Sequence, residues 1–146
     1  MSENIKEIIL SKISEFVKNY DSPSFNRGYV EIEAKNILSV FNSLYNDLDA
    51  RFITATGFDT SKNIEIFYHF AFDKLNYVLT VKTTLLRENP SIDSLSKIFD
   101  GALWIEREMH ELLGIDFVGH PDLKHLILPE NWEDGNYPYR REERNG

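Results

Sequence analysis

The sequence predicts an α+β fold: a mixed or antiparallel sheet of about four strands packed with helices, followed by an extended C-terminal arm. Three features carry that expectation. Apolar residues recur at helical spacing near the N-terminus, after residue 34 and again from 104 to 113, as they do where a helix lays one face on a core. Between the second and third of those stretches come runs rich in β-branched and aromatic residues, parted by short polar connectors, the pattern of hairpin-linked strands. After Gly114 the periodicity stops, and Pro121, Pro129 and Pro138 punctuate the remainder, which therefore holds neither a long helix nor an interior strand.

Taken in order, Ser2 and Asn4 precede Ile5, Ile8, Ile9, Ile13, Phe16 and Val17, a spacing that predicts an amphipathic helix to about Asn19. Asp21, Ser22, Pro23 and Ser24 end it. Tyr29 to Ile32 reads as a short strand, and Ile37, Leu38, Phe41, Leu44, Tyr45 and Leu48 predict a second helix over about 34–47. Strands are expected at 51–58, 64–72 and 77–83, joined by polar turns at 59–63 and 73–76. The nearly unbroken apolar run from Ile64 to Phe72 suits a central strand whose aromatics fill the core. Asn89-Pro90-Ser91 closes the sheet region, Ser91 or Asp93 caps a short helical turn through Phe99, and the main helix begins near Gly101.

The chain has 146 residues, 42% hydrophobic and 13% aromatic, enough to bury a core as one folding unit. We divide it into a core domain, residues 1–115, and a docking arm, residues 116–146. A net charge of -8 with no basic stripe argues against general nucleic-acid or anionic-membrane binding. Having no cysteine excludes disulfides, thiolate zinc sites and a protein-ligated iron-sulfur cluster of its own. The N-terminus lacks a basic region followed by an apolar run, and no stretch approaches the ~20 apolar residues of a membrane span. A cytoplasmic, soluble chain is expected.

The chemistry concentrates in the main helix. Ile105, Met109, Leu112 and Leu113 share one face, while Glu106, Arg107, Glu108, His110 and Glu111 take the others. Gly114 stands where a left-handed C-terminal cap is needed. Read as an enzyme, the chain offers Glu106, His110, His120 and His125 as metal ligands or acid-base groups. The zinc-protease pattern nevertheless fails, because position 114 is Gly where a second His is required. No glycine-rich phosphate loop and no nucleophile elbow is present. His69, alone in an aromatic strand, reads as a core or edge histidine. The arm interleaves Trp132, Tyr137 and Tyr139 with Arg140, Arg141 and Arg144, the composition of an interface hot spot; the alternative is a tail folded back on its own domain.

The runs Pro90-Ser91-Ile92, Phe99, Ala102 to Glu108, Glu111 to Ile115, Phe117, Gly119 to Lys124 and Leu126-Ile127 together resemble the signature of the thirty-kilodalton subunit family of respiratory complex I. That family includes the C subunit of bacterial NADH:quinone oxidoreductase (NADH dehydrogenase) and the matching hydrophilic subunit of membrane-bound, energy-converting NiFe hydrogenases. The Met109 to Ile115 run and Leu128-Pro129-Glu130-Asn131-Trp132 look more like the hydrogenase branch. Respiratory members instead tend toward an aromatic-Asp-Met-Phe run at 110–113 and a second Gly-His-Pro element where this chain has Gly135 to Glu142.

The resemblance implies a non-catalytic subunit that carries no cofactor and takes no small-molecule substrate. Its implied partners are the large, NiFe-hydrogenase-like subunit and the small iron-sulfur subunit. It would sit peripherally on the cytoplasmic face, meeting the membrane only indirectly. The implied interface residues are Trp104, Glu106, Arg107, Glu108, Glu111, Gly114, Gly119, His120, Pro121, Lys124, Trp132, Tyr137, Tyr139 and Arg140. Glu106, Arg107 and Glu108 either meet a charged partner surface or form an intramolecular network that orients the helix.

Overall fold

The computed structural model describes residues 2–123 and 137–140. The chain divides into two compact units: Met1–Ala55 with Phe67–Thr83, and Thr56–Ile66 with Thr84–Gly146.

In the first unit, α1 spans Ser2–Ile13 and buries Ile5, Ile9 and Ile13, spaced one turn apart. The helix expected to reach about Asn19 stops early. A 3-10 turn at Ser14–Phe16 leads into β1, Val17–Ser24. The segment read as helix end and breaker is thus a strand, antiparallel to β2, Arg27–Ile32. β1 lies at the edge of the sheet and is largely exposed, so it needs no alternation of apolar residues and can accommodate Pro23. Its pairing with β2 outweighs the local helical pattern.

β2 runs parallel to β5, Tyr77–Leu86, with Val30 opposite Val81, and this pair makes the sheet mixed. Between β2 and the next strand lie α2, Ile37–Asn42, and a π-helical turn, Ser43–Asp47, burying Ile37, Val40, Phe41 and Leu44. β3, Arg51–Asp59, and β4, Asn63–Phe72, complete a five-stranded sheet ordered β1-β2-β5-β4-β3, one strand more than expected because β1 joins it. The short links from β3 to β4 and from β4 to β5 permit only antiparallel pairing, since a parallel crossover needs a dozen residues or more. Phe41 meets Phe70 and Phe52 edge-on at 5.3 and 5.5 Å between ring centres. The aromatics of β4 here fill core, as their pattern suggested.

In the second unit, β6, Ser91–Asp93, pairs in parallel with β7, Asp116–Val118, placing Ile92 beside Phe117, both buried. The expected helical turn after Asn89 therefore begins later. Ser91 and Asp93 are strand residues, and the cap is Ser94, whose hydroxyl accepts from Ser96 N. A 3-10 turn at Asp100–Ala102 opens α3, Leu103–Leu113, which ends at Gly114 with φ 79°, as its position foretold. Gly57, in the part of β3 that belongs to this second unit, lets Leu113 of α3 approach, because a Cβ there would come within 2.6 Å of Leu113 Cδ1.

Candidate functional site

Although α3 is rich in charge, two of its acids are inside. Glu106 is 0% exposed and Glu111 1%. Glu106 follows helical spacing with Met109 and Leu113 (i+3, i+7), so it falls on the buried stripe, whereas Ile105 is only half-buried. Its Oε1 accepts from Ser94 Oγ at 2.6 Å and its Oε2 from Leu95 N at 2.8 Å. The carboxyl thus pins the turn after β6 to α3. Burial pushes it up to about 7, against the pull of the Ser94 and Leu95 donors. Glu106 draws its hydrogen bonds from these two residues rather than from Arg107. Arg107 and Glu108 are half-buried, and Trp104 is 60% exposed.

The loop after β7 is tied to the same, N-terminal end of α3. Asp122 N donates to His120 Nδ1 at 2.9 Å, so that nitrogen carries no proton and Nε2 donates to Leu103 O at 3.0 Å. Gly119 has φ 89°, and Lys97 lies over it, 2.8 Å from where a Cβ would stand. Pro121 is exposed. His110 donates from Nδ1 to Ile115 O at 2.9 Å. Glu106, His110 and His120 each serve a different local bond, and among the described residues no group of three or more His, Asp or Glu could hold a metal ion. Of the four groups offered on sequence for metal or acid-base chemistry, His110 and His120 each bond a backbone carbonyl. His125 lies outside the described residues.

Of the arm, Lys124, Trp132, Arg141 and Arg144 also lie outside the described residues. Residues 137–140 lie against the C-terminal end of α3. The Tyr137 ring covers Gly114 so closely that a Cβ there would collide with its Cε2. Tyr139 N donates to Leu112 O at 2.8 Å, and Arg140 Nε donates to Leu113 O. These bonds satisfy carbonyls that the end of a helix leaves open. Arg140 lies 6.0 Å over the Tyr137 ring, and Tyr139 is 63% exposed. Nearby, Arg87 holds the buried Asp59 by two bonds, 2.8 and 2.9 Å. Burial lowers the pKa of Arg140, with Asp59 opposing and Arg87 reinforcing the shift. Asp59 and Arg87 went unnoticed in the sequence because 28 residues separate them and neither lies in a recognisable motif.

Among the described residues, the polar side chains of α3 and its flanking turns hold neighbouring backbone in place through the bonds above. The family model described as respiratory-chain NADH dehydrogenase, 30 Kd subunit, matches residues 30–144. The chain belongs to that family. It is 30% identical to the C subunit of the F(420)H(2) dehydrogenase of Methanosarcina mazei, over 97% of this chain and 90% of that one. It is 35% identical to the C/D subunit of the NADH-quinone oxidoreductase of Erwinia tasmaniensis over 65% of this chain, but covers only 16% of that longer protein. In fold it is similar to a chain from the structure of the membrane-bound sulfane sulfur reductase, an archaeal respiratory membrane complex. The TM-score is 0.83 at 22% identity, covering 94% of this chain and 82% of the other.

Within this member of the 30 kDa family, the structure gathers the signature residues around the two ends of α3. Leu103, Glu106 and His120 are fastened near its start, and Gly114, Tyr137, Tyr139 and Arg140 near its finish. Among the described residues, no helix is long and apolar enough to cross a membrane.

Proposed function

We propose that this chain is a non-catalytic subunit of a membrane-bound, energy-converting NiFe hydrogenase, where it assembles and stabilises the peripheral electron-transfer arm. It docks on the large subunit beside the small iron-sulfur subunit, with α3 and the arm of residues 116–146 as the contact region. The observation that carries this reading is the family match over residues 30–144. A chain with no cysteine leaves the wiring of electrons to other subunits. The exposed Trp104 and Tyr139 are the residue types that anchor protein interfaces. The hydrogenase assignment rests on the Met109 to Ile115 and Leu128 to Trp132 runs.

The same role in a quinone-linked dehydrogenase is a second reading, favoured by the names of the relatives above. One experiment tests both. A tagged chain is purified from its native membrane fraction, the accompanying subunits are identified, and hydrogen-dependent and quinone-dependent activities are assayed. A NiFe large subunit with hydrogen-dependent activity is the expected result. A quinone-reducing complex selects the second reading, and an isolated chain with no partner overturns both.

A further inference from the structure

At the start of α3, the hydroxyl of Ser94 stands between two oxygens. Its Oγ lies 2.6 Å from Glu106 Oε1 and 2.7 Å from Ser96 Oγ, and it accepts from Ser96 N at 3.1 Å. A hydroxyl carries one proton, so Ser94 donates in one of these two directions at a time. With Glu106 ionised, Ser96 donates to Ser94 and Ser94 donates to the carboxylate. With Glu106 protonated, the carboxyl donates to Ser94 and Ser94 donates to Ser96. The row leads outward: Glu106 and Ser94 are 0% exposed, whereas Ser96 is half-buried. All three residues belong to the second unit.

We infer that Glu106, Ser94 and Ser96 form an internal proton-binding site joined to solvent by the two hydroxyls, and that loss of its proton loosens the turn Leu95–Lys97 from α3. Release leaves both serines neutral. Glu106 passes its proton to Ser94 Oγ, Ser94 passes its own to Ser96 Oγ, and Ser96 passes its own to a water molecule at the surface. A carboxylate and a hydrated proton remain, with both hydroxyls pointing inward as the ionised form requires. The carboxylate so formed has no cation beside it. Asp93 on β6, Lys97 in the turn, Asp100 before α3, Arg107 and Glu108 on α3, Asp116 on β7 and His120 in the loop beyond make no hydrogen bond to it, and none is among the causes that shift its titration, which are burial and the Ser94 and Leu95 donors. A buried charge without a counter-ion is relieved by water. Swinging the turn away from α3 admits that water, so the turn opens more readily once the proton is gone.

The test uses the full chain labelled with carbon-13. The side-chain carboxyl resonance of Glu106, assigned by its absence in Glu106→Gln, should titrate near 7 rather than near 4.5. Ser94→Ala removes a donor to the carboxylate and should move that midpoint up. Ser96→Ala leaves the Ser94 proton without an acceptor only when Glu106 is protonated, and should move the midpoint down. Because Ser96 lies partly at the surface, its variant decides the matter even where Ser94→Ala fails to fold. Protection of the Leu95 amide from hydrogen exchange, corrected for the intrinsic rate, should fall about tenfold or more between pH 5 and pH 8 in the parent and stay level in Glu106→Gln. A midpoint near 4.5 in the parent overturns the site. A midpoint that Ser96→Ala raises or leaves in place overturns the link to solvent, and protection at Leu95 that ignores pH in the parent overturns the loosening of the turn.

Discussion

Glu106 shows how one residue can tie sequence, packing and pH response together. Its carboxyl, raised from 4.5 to about 7 in the folded chain, binds a proton more tightly than in the unfolded chain. Folding is therefore favoured by this group at low pH, and that contribution fades as pH rises from about 4.5 through 7. The full span corresponds to about 3 kcal/mol at roughly 1.4 kcal/mol per pH unit. Glu106→Gln removes the titration, so the difference in melting temperature between parent and variant should shift in the variant's favour from pH 5 to pH 8; a pH-independent difference would contradict the assignment. Ser94→Ala takes away the donor to Oε1 and should destabilise by about 1–3 kcal/mol. The loss should be greater at pH 8, where the carboxylate is ionised, than at pH 5, as read by urea unfolding at both pH values. Glu106 looked like one charge among several because helical spacing ranks faces by their apolar members. Its place on the Met109 and Leu113 stripe was legible, but the Ser94 and Leu95 donors that make burial tolerable come from a turn eleven or more residues away.

At the scale of elements, α3 is defined by what closes each end. Gly114, at φ 79° and under Tyr137, serves both the helix cap and the returning arm. Gly114→Ala should cost about 1 kcal/mol for the left-handed dihedral alone and more once the ring is displaced. Thermal melts and protection of residues 137–140 from proteolysis measure the two effects. Within the second unit, Asp59 at the end of β3 is held by Arg87, and their side chains are 0% and 14% exposed. Asp59→Ala, which leaves the guanidinium without its buried partner, should destabilise by about 3–5 kcal/mol. Asp59→Leu with Arg87→Met should recover much of that loss in denaturant unfolding. A double variant no more stable than Asp59→Ala would place the cost in packing rather than in charge.

For the whole molecule, the arm cannot be removed at its sequence-defined start. Phe117 is 1% exposed and β7 pairs with β6, so deleting everything from Asp116 would strip the second unit of a strand and a core residue. A chain ending at Leu123 keeps β7 and the His120 fastening. It should stay folded by circular dichroism yet bring down far less of the large subunit. Undiminished recovery would move the docking surface off the arm. The exposed edge of β1, with Lys18, Asp21 and Pro23 along it, is the kind of edge that resists pairing between copies.

The fold class, the helices, the hairpin strands, the stop at Gly114 and the family signature were all legible in the chain, because periodicity, capping residues and turn chemistry act within a few residues of where they are written. What tertiary structure alone decided is of another kind. β1 became a strand because β2 offered it hydrogen bonds that no helical register could match. Glu106 went inside because Ser94 and Leu95 meet it there, and Asp59 is held by Arg87, 28 residues along the chain. Each outcome depends on a partner distant along the chain, and such pairings are chosen only when the whole polypeptide closes on itself.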